Sequence, residues 1–165
     1  MPSRSRPQTS WGPPSTDVLA TNRVADALLS PFGEERNMPR ILFTHPRAKT
    51  VFAEWPVVAA ATVDALRLNE GRFPGGQHIS RLVAQLTERS QEFRRRWAAQ
   101  TVGALTRAFK VFVHPEVGRI EQTCQTFDAH DAPGQQLLVG TPQPGTRSAR
   151  SEEGVAHLAA MTAPA

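Results

Sequence analysis

The sequence predicts an α+β fold in which a small antiparallel sheet packs against several helices. Apolar residues recur at helical spacing in the first part of the chain, most clearly over 78–89. Further along, the pattern becomes alternating, and three β-prone segments follow one another, at 107–114, 118–127 and 135–141. Strands that are consecutive in sequence pair as an antiparallel meander, and helices can bury one face of such a sheet.

Length and composition predict one folded domain with less ordered ends. The chain has 165 residues, which suits a single domain, and its 14 prolines concentrate outside the periodic segments. The Pro-, Ser- and Arg-rich stretch 1–16 is predicted to be disordered. The domain is assigned to 17–145, and a tail over 146–165 is predicted to contain a short helix.

Charge and cysteine content exclude several classes of protein. The formal net charge of +4 is too small to identify a nucleic-acid partner by itself. The single cysteine, Cys124, cannot form an internal disulfide, and residues 1–16 lack the apolar stretch that is typical of a signal peptide. The longest apolar run, 57–61, is far shorter than the roughly 20 residues that span a bilayer. We therefore expect a cytoplasmic protein that does not insert into membranes.

Capping residues and proline positions predict the first elements. Residues 17–22 favour a short strand, and Asn22 can cap a helix over 23–29. Residues 30–38 are predicted to be a loop, followed by a helical turn over 39–43 that begins with proline.

The next helical segment is predicted to be interrupted by a proline. Thr44 can cap a helix that continues to Trp55, and Pro56 should then kink or break it. The helical pattern resumes after Pro56 and ends in the glycine-rich stretch 70–76. Its predicted packing stripe consists of Val58, Ala61, Thr62, Ala65 and Leu66.

Two further helices and a hairpin complete the prediction. The helix 78–89 carries an apolar face, and Ser90 can cap a helix in which Phe93 and Trp97 lie one turn apart. The segment "HPEVG", residues 114–118, is predicted to reverse the chain between the first two strands, with Gly118 relieving backbone strain.

Four segments together resemble a known family. "HPRAKTVFAEW" (45–55), "RSQEFRRRW" (89–97), "HPEVGRIE" (114–121) and "APGQQLLVGTPQPGT" (132–146) are similar in order and spacing to the MmyB-like transcription-regulator ligand-binding domain. The resemblance covers roughly residues 17–150.

The resemblance implies a fold, a ligand and an indirect link to DNA. It implies a PAS-like sensor domain with a pocket for a fatty-acid-like ligand, placed after an Xre-type helix-turn-helix. Only 16 residues precede the predicted domain, so the DNA-reading element is expected to be missing from this chain. A non-catalytic sensor of a bacterial transcriptional regulator, without a cofactor, is the predicted function.

Apolar residues of the two best helices and the sheet are predicted to line the ligand space. A carboxylate head group would need a cationic partner, for which Arg94 and Arg107 are candidates. The predicted lining residues are Leu82, Leu86, Phe93, Trp97, Phe109, Val111 and Ile120.

Three alternatives remain open at this stage. The first is a structural or dimerisation domain with a filled core, and a homodimer is compatible with either function. The second is a small metal-dependent hydrolase that uses Asp128, His130 and Asp131. His114 and Glu116 are not expected to belong to that site, because about 30 Å of extended strand would lie between the two groups. The third is direct DNA binding through the arginine run 94–96, although consecutive helical residues spread around the helix instead of forming one stripe.

Overall fold

A computed structural model describes residues 16–72, 75–99, 108–132 and 134–142, together with positions 154, 156, 157 and 160. Within this part of the chain the helices precede a three-stranded antiparallel sheet, so the predicted α+β class is confirmed. The α-helices are α1 (Arg23–Leu29), α2 (Met38–Thr44), α3 (Ala48–Val51), α4 (Trp55–Arg72), α5 (Gln77–Arg89) and α6 (Gln91–Ala98). The strands are β1 (Ala108–His114), β2 (Gly118–Asp128) and β3 (Gln136–Pro142), and a 3-10 turn spans Ser30–Phe32.

Polar side chains begin two of the predicted helices. The Asn22 side chain accepts the Ala25 amide at 2.8 Å, and the Ser90 hydroxyl accepts the Phe93 amide at 3.2 Å. Each bond satisfies one of the amides that a helix leaves free in its first turn. Both capping predictions are confirmed.

The predicted strand over 17–22 is wrong. Asp17 forms only an isolated bridge with Asn37, and the Val18 amide donates to the Arg36 carbonyl at 2.8 Å. The segment is held by Asn37, a buried residue inside the stretch predicted to be a loop. Its Nδ2 donates to Thr16 Oγ1 at 2.9 Å and to Asp17 Oδ1 at 2.8 Å, while its Oδ1 accepts the Arg40 amide at 3.0 Å.

The predicted helix start at Thr44 and the predicted break at Pro56 are also wrong. Thr44 is the last residue of α2, and its hydroxyl donates back to the Arg40 carbonyl at 2.8 Å. The helical pattern breaks earlier, between Val51 and Trp55, so Pro56 lies in the first turn of α4. A proline is tolerated there because the amide it lacks would have no partner inside the helix.

The sheet has the order β1-β2-β3, and its register decides which side chains share a face. Phe112 lies opposite Ile120, and His114 lies opposite Gly118. Gly118 has φ +82°, a left-handed conformation that costs glycine little, and it allows the chain to reverse after Pro115. "HPEVG" is therefore the hairpin turn that the sequence predicts.

The helices form the larger part of the core, and the sheet joins it through α3. α5 packs against α6, α4 and α2, whereas α3 packs against β1. The segment after α3 also covers the outer edge of β1, because Phe52 bridges Phe112 and the Ala53 amide donates to the Val111 carbonyl at 3.0 Å. The buried residues of α4 are Trp55, Val58, Ala59, Val63 and Leu66, a face rotated from the predicted stripe.

The ends of the chain lie largely outside the described residues. Of the predicted C-terminal helix, Gly154, Ala156, His157 and Ala160 are described, and all four are helical. Among the described helices, none is long and apolar enough to cross a membrane.

Candidate functional site

Five of the predicted lining residues meet in one apolar cluster. Leu82, Leu86, Phe93 and Ile120 are buried members of the main hydrophobic core, and Trp97 is half-buried and packs against it. Their arrangement follows from the helical spacing of α5 and α6 and from the alternation in β2. The cluster joins the helical layer to the inner face of the sheet.

Phe93 is the centre of the helical side of this cluster. The Ser90 cap fixes the first turn of α6, and Phe93 is completely buried there. Its ring lies 5.0 Å from that of Phe43 in an edge-to-face arrangement and 5.5 Å from that of Trp97 in a stacked one. Such pairs stabilise the packing beyond the apolar area that they bury.

A second aromatic group packs beside Ile120, outside the predicted lining. Ile120 lies opposite Phe112 on the inner face of the sheet. The ring of Phe112 is 5.2 Å from that of Phe52, which stacks on Phe32 at 5.6 Å. Phe52 therefore connects α3, the 3-10 turn and β1.

Sequence reasoning missed three buried aromatic residues of this core, Phe43, Phe52 and Phe112. Phe43 closes the run Ile41-Leu42-Phe43, in which all three residues are buried. A continuous apolar run at the end of a short helix has no helical period. The run itself was the available signal, because it indicates a segment that is buried on several sides.

Val111 does not join Ile120 in the way that the sequence suggested. Val111 is buried but pairs with Glu121, one position out of phase with the Phe112 and Ile120 pair. Since successive strand residues point to opposite faces, Val111 lies on the other face of the sheet. The side chain of Phe109 lies outside the described part of the structure.

A cationic margin borders the cluster at Trp97. The guanidinium of Arg67 lies 5.2 Å from the Trp97 ring centroid, and it donates to the Trp97 carbonyl. Arg96 and Lys49 lie 5.4 and 4.7 Å from the ring of Trp55, whose Nε1 donates to the Leu42 carbonyl at 2.8 Å. Cations over aromatic faces are attracted by the ring quadrupole, so these side chains stabilise the rim of the core.

Comparison with known proteins identifies the family of this chain. The family model described as MmyB-like transcription regulator ligand binding domain matches residues 13–153. The chain belongs to this family. A search of curated proteins finds no match, and a search of solved structures finds none either.

The arginine run of the MmyB-like domain is occupied by contacts within the chain. Arg94 donates to the carbonyls of Thr87 at 3.0 Å and Glu88 at 3.5 Å, at the end of α5. Arg95 and Arg96 both pair with Glu92, and Arg96 also donates to the Pro56 carbonyl at 3.4 Å. The three side chains do not present one stripe of free positive charge.

The histidine of the "HPEVG" turn ties the sheet to the first helix. His114 is buried, and its Nδ1 accepts the Glu116 amide at 3.2 Å. The proton of the neutral ring is therefore on Nε2, which lies 3.1 Å from the Ala27 carbonyl and 3.3 Å from Ser30 Oγ. In this tautomer Nε2 donates a hydrogen bond, so it cannot accept the proton of Ser30 as a base for nucleophilic attack would.

The residues of the hydrolase hypothesis lie apart. Asp128, His130 and Asp131 are exposed near the turn after β2, at the opposite end of that 11-residue strand from His114. Asp128 accepts the Gln136 side-chain amide at 2.7 Å. In the described segments, no group of three or more His, Cys, Asp or Glu residues is arranged to hold a metal ion.

The single cysteine is a buried residue of β2. Burial raises the pKa of the Cys124 thiol, and the charge of Lys110 offsets part of this rise. A nucleophilic cysteine requires the opposite shift, since the thiolate is the reactive form.

Proposed function

We propose that this chain is the regulatory sensor domain of a transcription regulator and that it binds a small apolar or fatty-acid-like ligand without catalysis. The observation that carries the proposal is the family match over residues 13–153, combined with one apolar cluster between the helices and the sheet. A ligand acts on such a regulator through its different affinity for two states of the domain.

The proposed site is lined by Leu82, Leu86, Phe93, Trp97 and Ile120. Trp97 is the half-buried member and is the natural point of entry, because the other four are at most 2% exposed. An acyl chain would enter beside Trp97 and run towards Ile120, displacing side-chain contacts within the cluster. Burying about ten methylenes gains roughly 8 kcal/mol before the cost of ordering the chain.

The head group of an acyl ligand would lie at the cationic margin. Arg67 lies over Trp97 and donates to the backbone carbonyls of Arg96 and Trp97, so a carboxylate leaving the cluster at Trp97 would meet its guanidinium. Guanidinium groups bind carboxylates in a bidentate geometry. Arg94, a candidate from the sequence, is instead bonded at the end of α5, and Arg107 lies outside the described residues.

The effect on DNA is proposed to be indirect. The contacts of Arg94, Arg95 and Arg96 within the chain support a structural role for the run. A helix-turn-helix outside this chain would then read the DNA, and the sensor domain would bias it.

A purely structural domain is the rival function, and the low exposure of the four inner residues favours it. Thermal unfolding with a panel of acyl chains separates the two, since a ligand that binds only the folded state raises the unfolding temperature. The sensor predicts a shift for at least one chain. The absence of any shift would support the structural role.

Two matched variants locate the site. Phe93→Leu and Phe32→Leu make the same change at two core positions that are both nearly completely buried. Each should cost stability, because both remove buried ring contacts. Only Phe93→Leu should also change the ligand-induced shift, and equal changes in both variants would contradict the proposed position.

A further inference from the structure

The β2-β3 hairpin extends beyond the core and carries exposed apolar side chains. In β2 the residues after Cys124 are exposed, including Phe127 at 50%. Leu137 and Leu138 of β3 are 62% and 52% exposed. Large apolar side chains grouped on an extended hairpin are typical of an interaction surface.

The hydrogen-bonding phase shows which backbone groups of β3 point away from β2. The Ala129 amide donates to the Gln135 carbonyl, and bonded pairs recur at every second residue of an antiparallel ladder. Odd-numbered residues of β3 therefore bond to β2, and Gln136, Leu138 and Gly140 direct their backbone groups to the outer edge. No other described strand pairs with that edge.

The edge of β3 also lacks the usual protection against strand pairing. Its sequence, QLLVGTP, contains no charged residue, and its proline comes at the last position. Proteins that keep an edge strand unpaired commonly place charges, prolines or bulges on it. The opposite edge of the sheet is partly covered, because Phe52 bridges Phe112 of β1.

We propose that β3 pairs with β3 of a second copy of this chain, forming a two-fold symmetric dimer with a continuous six-stranded sheet. The absence of charge on β3 favours a second copy over a charged partner. Two copies of β3 would bring no like charges together, and β3 has no charge that would attract an oppositely charged strand. In an antiparallel pair centred on Leu138, Leu138 lies opposite its own copy and Leu137 lies opposite Val139. Every apolar residue of β3 then has an apolar neighbour across the interface, with Phe127 beside Leu137 on the same face.

A register centred on Val139 is less favourable. It would place Leu138 opposite Gly140 and Leu137 opposite Thr141, so that only Val139, opposite its own copy, would keep an apolar cross-strand partner. The Leu138-centred register also makes Leu138 a hydrogen-bonded pair with its copy, since its backbone groups point outwards. This inference does not depend on ligand binding.

A charge-swap experiment tests the dimer. Leu138→Lys and Leu138→Glu each place like charges opposite one another on the two-fold axis, and an equimolar mixture places opposite charges there. Sedimentation velocity of the 165-residue chain should show a wild-type dimer, at least about tenfold weaker association for each variant alone, and recovery in the mixture. Leu68→Lys changes an exposed leucine of α4 and is the matched control, which should remain dimeric.

Circular dichroism establishes that each variant is folded, and the exposed position of Leu138 makes unfolding an unexpected result. A monomeric wild type at the highest soluble concentration overturns the proposal and leaves the edge for a strand from another protein. Variants at Leu138 that associate as tightly as the wild type overturn it as well, because they place the interface elsewhere.

Discussion

The imidazole Nε2 of His114 lies 3.1 Å from the carbonyl oxygen of Ala27, so the last residue of β1 is bonded to α1 across 87 residues of sequence. The same ring accepts the Glu116 amide through Nδ1 and holds the hairpin turn. One buried side chain thereby connects the turn, the sheet and the first helix.

Replacement of His114 should reveal this connection. His114→Leu removes the hydrogen bonds of the ring to Ala27, Ser30 and Glu116 and should lower the free energy of unfolding by about 2 kcal/mol. His114→Gln places an amide donor near the position of Nε2 and should recover part of the loss. Chemical denaturation measures both, and equal stability of His114→Leu and the wild type would contradict the structural role.

Asn37 should contribute more to stability than Asn22, although both cap helices. Asn37→Ala removes a cap and two bonds to the segment at Thr16 and Asp17, and should cost about 2 to 3 kcal/mol. Asn22→Ala, the matched control, removes one exposed cap and should cost about 1 kcal/mol. Equal losses in urea denaturation would show that the tether to the N-terminal segment adds nothing.

These two asparagines show what the sequence could and could not predict. Asn22 stands next to an apolar periodic segment, so its capping role depends on residues within one helical turn. The bonds of Asn37 reach residues about 20 positions away, and no local pattern records them. The helix break was predicted at Pro56 instead of before Trp55 for the same reason. Phe52 pairs with Phe112, which is distant in sequence, where the helix is interrupted.

The candidate site was predictable to a similar extent. Helical spacing was sufficient to place Leu82 and Leu86 on one buried face of α5, and Phe93 and Trp97 on one face of α6. The face of a strand depends on its partner, since both Val111 and Phe112 are buried and alternation does not say which one faces the helices. The register against β2 decides that question.

The arginine run should affect stability more than DNA binding. Arg96 pairs with Glu92 and lies over Trp55, so Arg96→Gln should cost about 1 kcal/mol. Arg95, whose side chain is 74% exposed, offers the control Arg95→Gln, which should stay within about 0.5 kcal/mol of the wild type. Strong duplex binding that both variants abolish would instead support direct DNA contact.

The thiol of Cys124 should react slowly with disulfide reagents in the folded protein. Because burial raises its pKa, its thiolate fraction at neutral pH is below that of an exposed cysteine, and a disulfide reagent should react at least about tenfold faster after denaturation. Lys110→Met removes the opposing charge and should slow the native reaction further. The folded state holds the thiol proton more tightly, so stability should fall as pH rises above the ordinary thiol pKa. A native thiol that reacts as fast as the denatured one would contradict this.

Ligand binding is the central claim, and native mass spectrometry with a graded series of saturated acyl chains tests it most directly. After delipidation, the protein should bind one chain per copy, with affinity increasing about fourfold for each added methylene until the cluster is filled. Phe93→Leu should shift the preferred chain length, and Phe32→Leu should leave it unchanged. An apo mass with every chain, at concentrations where the protein is folded, would contradict the sensor function.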